Sequence, residues 1–269
     1  MDQDKSLRIK EAVKANFDAS PAYYQDFEAR YGFFHMLNGV LLREMGLAPN
    51  ADILDIGCGT GASCLQMLEA LPESRVWGLD NSPAMLESAR ASIGESERLT
   101  FVEGDAARLR DYFSFAFDAV IYSASIFLIP DYKESLRQAR DLLKDSGRVG
   151  LTFMDGLYDS EGSNLLARAA EAANEDVSLR KAVKWAEFES FLREIFPRHR
   201  VWKEDFRLPE DLLRSFFSVP AMSAGLFPGV AYPERVSKVA RLFDHMPSTE
   251  VLFRWMLVVG EQKKSGSEN

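Results

Sequence analysis

The chain has 269 residues, of which 46% are apolar and 12% aromatic. Burial of that much apolar surface offsets the entropy lost on folding, which excludes a largely disordered protein. At about 150 residues per domain, the length fits one or two domains. The 41 acidic and 32 basic side chains give a formal net charge of −9, which repels phosphate polymers and argues against a non-specific nucleic-acid-binding protein.

The two cysteines, Cys58 and Cys64, are too few for a disulfide framework and lack the partners of a zinc cluster. Residues 1–20 contain no apolar signal segment, and no later run reaches the roughly 18 apolar residues that a membrane-spanning helix needs. We therefore expect reduced thiols and a cytoplasmic protein without an integral membrane segment.

Apolar and charged residues alternate at helical spacing over residues 7–47. Ser20-Pro21 and Tyr31-Gly32 interrupt this pattern and predict breaks between short helices. We therefore expect a helical N-terminal portion.

From residue 52 to residue 155 the pattern changes to short apolar runs that alternate with helical stretches. In chain order these segments are ADILDIG, GASCLQMLEAL, RVWGLD, SPAMLESARASI, LTFVEGD, FDAVIYSAS, DYKESLRQARDLLKD and RVGLTFMD. Such alternation predicts an α/β fold with right-handed crossovers and a mostly parallel sheet covered on both faces. Ser82-Pro83 predicts the start of one helix, Asp131 with Glu134 predicts a capping box at the start of another, and Gly147 predicts its end.

The remaining chain is again mostly helical in pattern. The elements expected there are helices over residues 163–174 and 185–196, strands over 199–208 and 251–260, and a frayed tail over 263–269. Between the last two strands, residues 209–248 are rich in Phe, Met and Pro, which predicts a small helical insert.

A glycine-rich loop, Gly57-Cys58-Gly59-Thr60-Gly61, lies between a predicted strand and a predicted helix. Glycines there allow a tight turn and close approach of a ligand to bare backbone, and the following helix offers free N–H groups. With Ala62 in the third place, the loop also satisfies the dinucleotide-binding fingerprint. The loop therefore predicts a ligand site.

Acidic residues follow the first three strands at positions that suit an adenosine group. Asp80 ends the second strand, where a carboxylate can accept both hydroxyl groups of a ribose, and Asp105 and Ala106 end the third, where they could frame an adenine ring. Asp55 precedes the glycines, and a carboxylate there suits a positively charged ligand better than a pyrophosphate.

Taken together, ILDIGCGTG, VWGLDNSPAML, FVEGDA and FDAVIYSASIFLIPD resemble the successive motifs of class I S-adenosylmethionine-dependent methyltransferases. The resemblance covers about residues 50–155 and is nearest to the group that includes ubiquinone and menaquinone biosynthesis enzymes. It implies a seven-stranded, doubly wound sheet of Rossmann-like type with an antiparallel last strand. It also implies a helical lid at residues 1–49, a donor-binding core at 50–208 and 249–262, and S-adenosylmethionine as the cofactor.

The resemblance assigns roles residue by residue. Asp55, Gly57, Cys58, Gly59, Thr60 and Gly61 would hold the methionine part of the donor, Asp80, Asn81 and Met85 the ribose and adenosine, Asp105 and Ala106 the adenine, and Ser123 the methionine end. Tyr23 and Tyr24 fall in the lid, where we expect them to contribute to the substrate site; a phenol there could also touch the donor or serve only for packing. Phe127 falls at a position that lines the substrate pocket, and its apolar ring favours an apolar or aromatic small-molecule acceptor.

Methyl transfer needs alignment, exclusion of water and, for a protonated nucleophile, a base. Of the three histidines we expect His245, in the aromatic insert, to be the best placed as a base, with a surface position as the alternative. The segment after FDAVIYS is Ala-Ser-Ile-Phe, which does not fit the motif of nucleic-acid amino-methyltransferases and lacks an aspartate for magnesium. O-methylation of a phenol or carboxylate is therefore the leading reaction, ahead of methylation of carbon or nitrogen.

The insert at 209–248 is too long for a turn, so we expect it to cap the pocket, with Phe216, Phe217 and Phe227 contacting the substrate. A homodimer interface is the alternative for this surface. For the whole chain, an NAD-dependent oxidoreductase and a non-catalytic donor-binding or partner-binding protein stay open, because methyl transfer has no obligatory catalytic side chain.

Overall fold

The computed structural model describes residues 3–178, 183–247 and 250–262, and within these ranges it contains eleven α-helices and seven β-strands. The predicted tail at 263–269, the last residue of the predicted insert and the first residue of the last core segment lie outside the described residues. Within the described ranges, no helix is long and apolar enough to cross a membrane.

Three helices precede the sheet: Gln3–Asp18 (α1), Pro21–Tyr31 (α2) and Phe33–Met45 (α3). Both predicted breaks are confirmed. Pro21 starts α2, and Gly32 ends it in the left-handed conformation, with φ of 59°. One face of α3 is apolar and packs against the sheet, which fixes these helices on the rest of the molecule.

The strands are Asp52–Ile56 (β1), Arg75–Asp80 (β2), Leu99–Glu103 (β3), Phe117–Tyr122 (β4), Leu143–Tyr158 (β5), Arg198–Arg207 (β6) and Leu252–Glu261 (β7). They form one sheet in the order β3-β2-β1-β4-β5-β7-β6. The pairs among β1 to β5 are parallel, and β7 runs antiparallel to both β5 and β6. The predicted fold class is therefore confirmed, and the strand order reverses between β1 and β4, where sheets of this kind bind ligands.

The remaining helices are Ala62–Ala70 (α4), Pro83–Ser92 (α5), Tyr132–Asp141 (α6), Leu165–Ala173 (α7), Trp185–Ile195 (α8), Glu210–Ser218 (α9), Pro220–Leu226 (α10) and Tyr232–Asp244 (α11). The last three form the predicted helical insert. Short 3-10 helices cover Ala106–Asp111 and Ile126–Leu128, directly after β3 and β4.

Two local predictions around α6 are wrong. Asp131 does begin the helix, but its side chain makes no capping hydrogen bond, because its carboxylate accepts hydrogen bonds from α1 instead. The helix ends at Asp141, and Gly147 lies inside β5, because the pairing of Leu143 with Phe117 of β4 already starts the strand. The predicted cap at Ser82 is confirmed, since its hydroxyl accepts the Met85 N–H at 3.2 Å.

Candidate active site

A pocket lies at the carboxyl ends of the parallel strands, at the point where the strand order reverses. It brings together most of the residues predicted for the methyl donor. Those that line it are Gly57, Cys58, Gly59, Thr60, Asp80, Asn81, Met85, Asp105, Ala106 and Ser123. Asp55, which is buried in β1, and Gly61, the last residue of the glycine loop, are not part of the lining.

The glycine loop owes its shape to three residues in the left-handed region, Gly57 with φ of 75°, Gly59 with φ of 55° and Gly61 with φ of 80°. A Cβ atom on Gly57 would lie 2.5 Å from the Cβ atom of Ser125, so this glycine is required for packing. A Cβ atom on Gly59 would meet no atom within 4 Å and would occupy open space beside the pocket. Gly59 therefore leaves room for a ligand rather than for a neighbouring side chain.

Asp80 ends β2 with its carboxylate held by backbone N–H groups. Its Oδ2 atom accepts from Gly59 at 2.8 Å, and its Oδ1 atom accepts from Ser82 at 2.9 Å. Burial raises the pKa of Asp80, while these N–H groups favour the ionised form. Each oxygen keeps a further lone pair, so the carboxylate can still accept two ligand hydroxyl groups.

Asp55 is fully buried beneath the glycine loop. Its Oδ2 atom accepts hydrogen bonds from the Ser63 hydroxyl and the Cys64 thiol, and its Oδ1 atom has no partner among the described residues. Burial raises the pKa of Asp55 to about 6, against the opposing effect of these hydrogen bonds. Gly61 begins α4 behind it, and a Cβ atom there would lie 2.9 Å from Ile93 and Phe101 side-chain atoms.

Helix α1 covers the end of the pocket where adenine was predicted to bind. Lys10, Val13 and Phe17 of this helix line the pocket. The Lys10 Nζ atom lies 2.7 Å from Asp105 Oδ2 and 2.8 Å from Asp131 Oδ2. Sequence reasoning missed Lys10, because a single lysine in a charged helix carries no signal of a partner 95 residues away.

The other end of the pocket is aromatic. Tyr24, Phe127 and Phe216, predicted as substrate-contacting residues, all line it, and so do Phe34, Met222 and Trp255, which the sequence analysis did not identify. The Tyr24 ring lies 5.8 Å from the rings of both Phe17 and Phe34, and Phe34 lies 6.1 Å from Phe216. These rings come from the N-terminal helices and the insert, so both additions to the sheet shape this end.

Four predicted residues are not brought to the pocket. Tyr23 is 46% exposed and packs edge-on against Tyr232. Phe217 and Phe227 are buried in the core, away from the pocket lining. His245 follows α11 on the surface, where its Nδ1 atom pairs with the Arg241 carbonyl oxygen at 2.9 Å, and it is not part of the pocket lining.

Three further lining residues were missed by sequence reasoning. Asn38 is 3% exposed on the apolar face of α3, and its Oδ1 atom accepts the Ser123 hydroxyl. Ala124 has a left-handed backbone with φ of 51°, and its N–H donates to Thr152 Oγ1 at 2.8 Å. Glu28 accepts the N–H groups of Phe34 and His35 at the start of α3. Of these three residues, only Asn38 had a sequence signal that could have identified it, namely a polar residue on the apolar face of a helix.

Few charged side chains line the pocket. The charged residues that line it, among those described, are Lys10, Glu28, Asp80 and Asp105. Lys10 is already paired with two carboxylates, so the aromatic end offers no unpaired cation within the described residues. The arrangement suits a ligand with hydroxyl groups at Asp80 and an uncharged, apolar group among the rings.

Residues 53–147 match the family model described as a methyltransferase domain. The chain is similar to a trans-aconitate 2-methyltransferase of Enterobacter sp. (strain 638), with 35% identity over 48% of each chain. It is also similar to a demethylmenaquinone methyltransferase of Lactococcus lactis subsp. lactis (strain IL1403), with 30% identity over 52% of this chain and 57% of the relative. The chain thus spans about half the length of these curated relatives.

Among solved structures, the YcgJ protein from Bacillus subtilis has a similar fold, with a TM-score of 0.59 and 16% identity. The match covers 86% of this chain and 100% of that chain. The resemblance to methyltransferases that the glycine loop and the following strands predicted is therefore confirmed for residues 53–147.

Proposed function

We propose that this chain, whose residues 53–147 carry a methyltransferase domain, transfers a methyl group from S-adenosylmethionine to a small, neutral, apolar or aromatic acceptor. The observation that carries the proposal is one continuous pocket. It joins the glycine loop and Asp80 at one end to a set of aromatic rings at the other.

The donor end fits S-adenosylmethionine. The Asp80 carboxylate would accept the two ribose hydroxyl groups, with Asn81 and Met85 beside the adenosine and Asp105 and Ala106 at the adenine. The space left by Gly59 would take the methionine part, with Ser123 near its end, while Asp55 would support the loop. When bound, S-adenosylmethionine would supply a methyl carbon attached to a sulfonium sulfur. That sulfur would leave as a neutral thioether.

The acceptor end favours a neutral compound. A tricarboxylate such as aconitate would need cations to offset the loss of hydration, and the one lysine of the described lining is already paired with Asp105 and Asp131. A flat apolar compound would instead pack against Phe34, Phe127 and Phe216. Its expected reaction is O-methylation of a phenol, ahead of transfer to a ring carbon or a nitrogen.

The protein would act mainly by alignment and by exclusion of water. The aromatic rings would hold the acceptor with its nucleophilic oxygen in line with the methyl carbon, so that the new O–C bond forms as the S–C bond breaks. The phenolic proton then has to leave. Glu28, in α2, is the carboxylate of the described lining that does not lie at the end of a strand, and we assign it, rather than the surface residue His245, the role of receiving that proton.

The first test is calorimetric titration of the protein with S-adenosylmethionine, S-adenosylhomocysteine and NADH, repeated with Asp80→Ala. We expect micromolar binding of the first two, weakened at least about tenfold in the variant, or about 1.4 kcal/mol, because the ribose hydroxyl groups lose their acceptor. Glu69→Ala, which removes an exposed carboxylate from α4, is the matched control and should bind like the wild type. Binding of NADH alone would overturn the proposal in favour of a redox enzyme.

The second test separates an enzyme from a donor-binding protein. With tritium-labelled S-adenosylmethionine, we expect label in 2-naphthol and none in trans-aconitate. Donor binding without transfer to any of a panel of neutral phenols would support the non-catalytic alternative, and transfer to trans-aconitate would refute the neutral acceptor.

A further inference from the structure

The side chain of Asn38 has an unused hydrogen-bond donor at the pocket. Asn38 lies among the buried residues of α3, is 3% exposed and is part of the pocket lining. Its Oδ1 atom accepts the Ser123 hydroxyl, which orients the amide group. Its Nδ2 atom donates no hydrogen bond among the described residues, and it is not one of the unpaired atoms that are sealed from the surface. Because buried polar groups are nearly always paired, this N–H is free to bind a ligand.

Contacts on two sides place Asn38 beside the glycine loop. Ser123 directly follows β4, the strand that pairs with β1. On the other side, a Cβ atom on Gly39 would lie 3.3 Å from Gln66 Nε2 in α4, and this Nε2 atom donates to the His35 carbonyl oxygen at 2.8 Å. The glycine loop joins β1 to α4. Asn38 therefore lies next to the space where we propose that the methionine part of the donor binds.

The neighbouring donors at the end of β4 are already used. The Ala124 N–H donates to Thr152 Oγ1 at 2.8 Å, and the Ser125 hydroxyl donates to the Ile56 carbonyl oxygen at 2.5 Å. The hydroxyl of Ser123 is used by Asn38 itself. The amide N–H of Asn38 is therefore the side-chain donor that this part of the pocket keeps for a ligand.

The other polar groups of the pocket do not replace this donor. The Glu28 carboxylate accepts the first N–H groups of α3, and neither it nor the Tyr24 hydroxyl forms a hydrogen bond with Asn38. The one lysine of the described lining, Lys10, is already paired with two carboxylates. An anionic ligand group near the glycine loop therefore has to be bound by uncharged N–H groups.

We infer that Asn38 binds the methyl donor, with its side-chain N–H donating a hydrogen bond to the carboxylate of the methionine part. The inference rests on the proposed function for the identity of the ligand. The methionine part carries an ammonium group as well, and the carboxylates of Asp55 and Asp80 favour that cation over an anion. Its carboxylate needs N–H donors instead, and a hydrogen bond to a charged acceptor is about twice as strong as one between neutral groups.

The test uses two ligands that differ only in this carboxylate, S-adenosylhomocysteine and its decarboxylated form, S-adenosyl-3-thiopropylamine. Calorimetry measures the affinity of both for the wild type and for Asn38→Asp, which keeps an acceptor oxygen for Ser123 and replaces the amide by a negative oxygen. We expect Asn38→Asp to bind S-adenosylhomocysteine at least about tenfold more weakly, because repulsion replaces a charge-assisted hydrogen bond. Binding of the decarboxylated ligand should not weaken, because it lacks the group that the amide binds.

Asn50→Asp is the matched control, because Asn50 is exposed and is not part of the pocket lining. It should bind both ligands like the wild type. Asn38→Leu, which has the same branching and no charge, is the second variant if Asn38→Asp does not fold, and it should reduce the preference of the wild type for S-adenosylhomocysteine.

Nuclear magnetic resonance of the wild type tests the same contact without a variant. The side-chain amide resonance of Asn38 can be assigned through Asn38-Gly39, the only Asn-Gly pair in the sequence. We expect S-adenosylhomocysteine to shift this resonance further downfield than the decarboxylated ligand does. Equal shifts with the two ligands would contradict the contact.

The outcomes distinguish this inference from the proposed function. If the wild type binds S-adenosylhomocysteine and Asn38→Asp weakens both ligands equally, Asn38 only supports the pocket through Ser123, and the inference fails while the proposed function stands. Unchanged affinity for S-adenosylhomocysteine in Asn38→Asp has the same meaning. If the wild type binds neither ligand, the proposed function fails and the inference fails with it.

Discussion

At the scale of single residues, Asp55 places a buried carboxyl group under the glycine loop and should give the protein a pH-dependent stability. Burial raises its pKa from 3.8 to about 6, so the folded state binds this proton more tightly than the unfolded state. The contribution of Asp55 to the free energy of unfolding is therefore fully present below about pH 4 and is lost as the pH rises through about 6. At higher pH this contribution no longer changes.

We expect Asp55→Asn to be more stable than the wild type by an amount that grows between about pH 4 and pH 6, to at most about 3 kcal/mol for two pKa units. Urea unfolding of both proteins at several pH values measures this difference. Asp52→Asn is the control, because Asp52 lies on the same strand but is paired with Arg75 and Lys144, so its loss should destabilise the protein. A gain in Asp55→Asn that does not change with pH would contradict the assignment.

At the scale of elements, α1 covers the end of the pocket that contains Asp105 and is held there by polar contacts. Lys10 bridges Asp105 and Asp131, Ser6 donates to Asp131 at 2.8 Å, and Ser82 donates to Asp18 at 2.6 Å. Burial lowers the pKa of Lys10, but its hydrogen bonds to the two carboxylates outweigh this effect and raise it, so the ammonium stays charged up to high pH. The bridge therefore persists through the neutral range.

We expect Lys10→Met to lower the free energy of local opening of α1 by about 1 kcal/mol, the upper range for a partly exposed ion pair. Amide hydrogen exchange in α1 should then be about fivefold faster. Hydrogen exchange read by mass spectrometry on peptides from residues 3–18 measures this. Lys5→Met serves for comparison, because Lys5 is exposed on the same helix and makes none of these contacts. Unchanged exchange in Lys10→Met would show that apolar packing, not the bridge, holds the helix.

The helices and strands also show how much of the fold the sequence predicts. Local sequence signals gave correct predictions where the residue itself determines the backbone conformation. Gly32 adopts a left-handed conformation, and the glycine loop needs residues without a side chain. They failed at Gly147, because the pairing of β5 with β4 is a long-range event that ends α6 earlier. Periodicity shows which residues are apolar and does not show which partners they meet.

The part of the pocket at the strand ends was predictable from the sequence, and the aromatic part much less so. The residues predicted to bind the donor follow strands at fixed spacing, so the topology of the sheet alone brings Gly57, Asp80 and Asp105 together. The aromatic part combines helices and strands that are far apart in sequence, and composition could not distinguish Phe216 in the lining from its neighbour Phe217 in the core. That distinction depends on tertiary packing.

At the scale of the whole molecule, the N-terminal helices, the insert and one face of the sheet share a single hydrophobic cluster. It contains Phe27 and Phe33 from α2 and α3, Phe216 and Phe217 from α9, and Phe253 from β7. The ring of Phe33 is stacked 5.3 Å from that of Phe253, and that of Phe216 lies 5.3 Å from the same ring. Neither addition can therefore leave the sheet without exposing rings of the other.

This shared core predicts cooperative unfolding. We expect Phe217→Ala to lower the free energy of unfolding by about 3–5 kcal/mol, as a buried aromatic truncation does, with one transition for all parts of the chain. Urea unfolding followed in parallel by far-ultraviolet circular dichroism and by tryptophan fluorescence checks both points. Two separated transitions would show that the insert folds as an independent unit.

Phe216→Leu tests the residue next to Phe217. The substitution keeps most of the buried volume and should lower the free energy of unfolding by less than about 1.5 kcal/mol. The ring that it removes lies in the pocket lining. Calorimetry should therefore show unchanged affinity for S-adenosylhomocysteine and weaker binding of a neutral phenol. Loss of donor affinity in Phe216→Leu would mean that the aromatic cluster positions the glycine loop as well as the acceptor, because Phe216 does not belong to the loop or to the strand ends that we propose bind the donor.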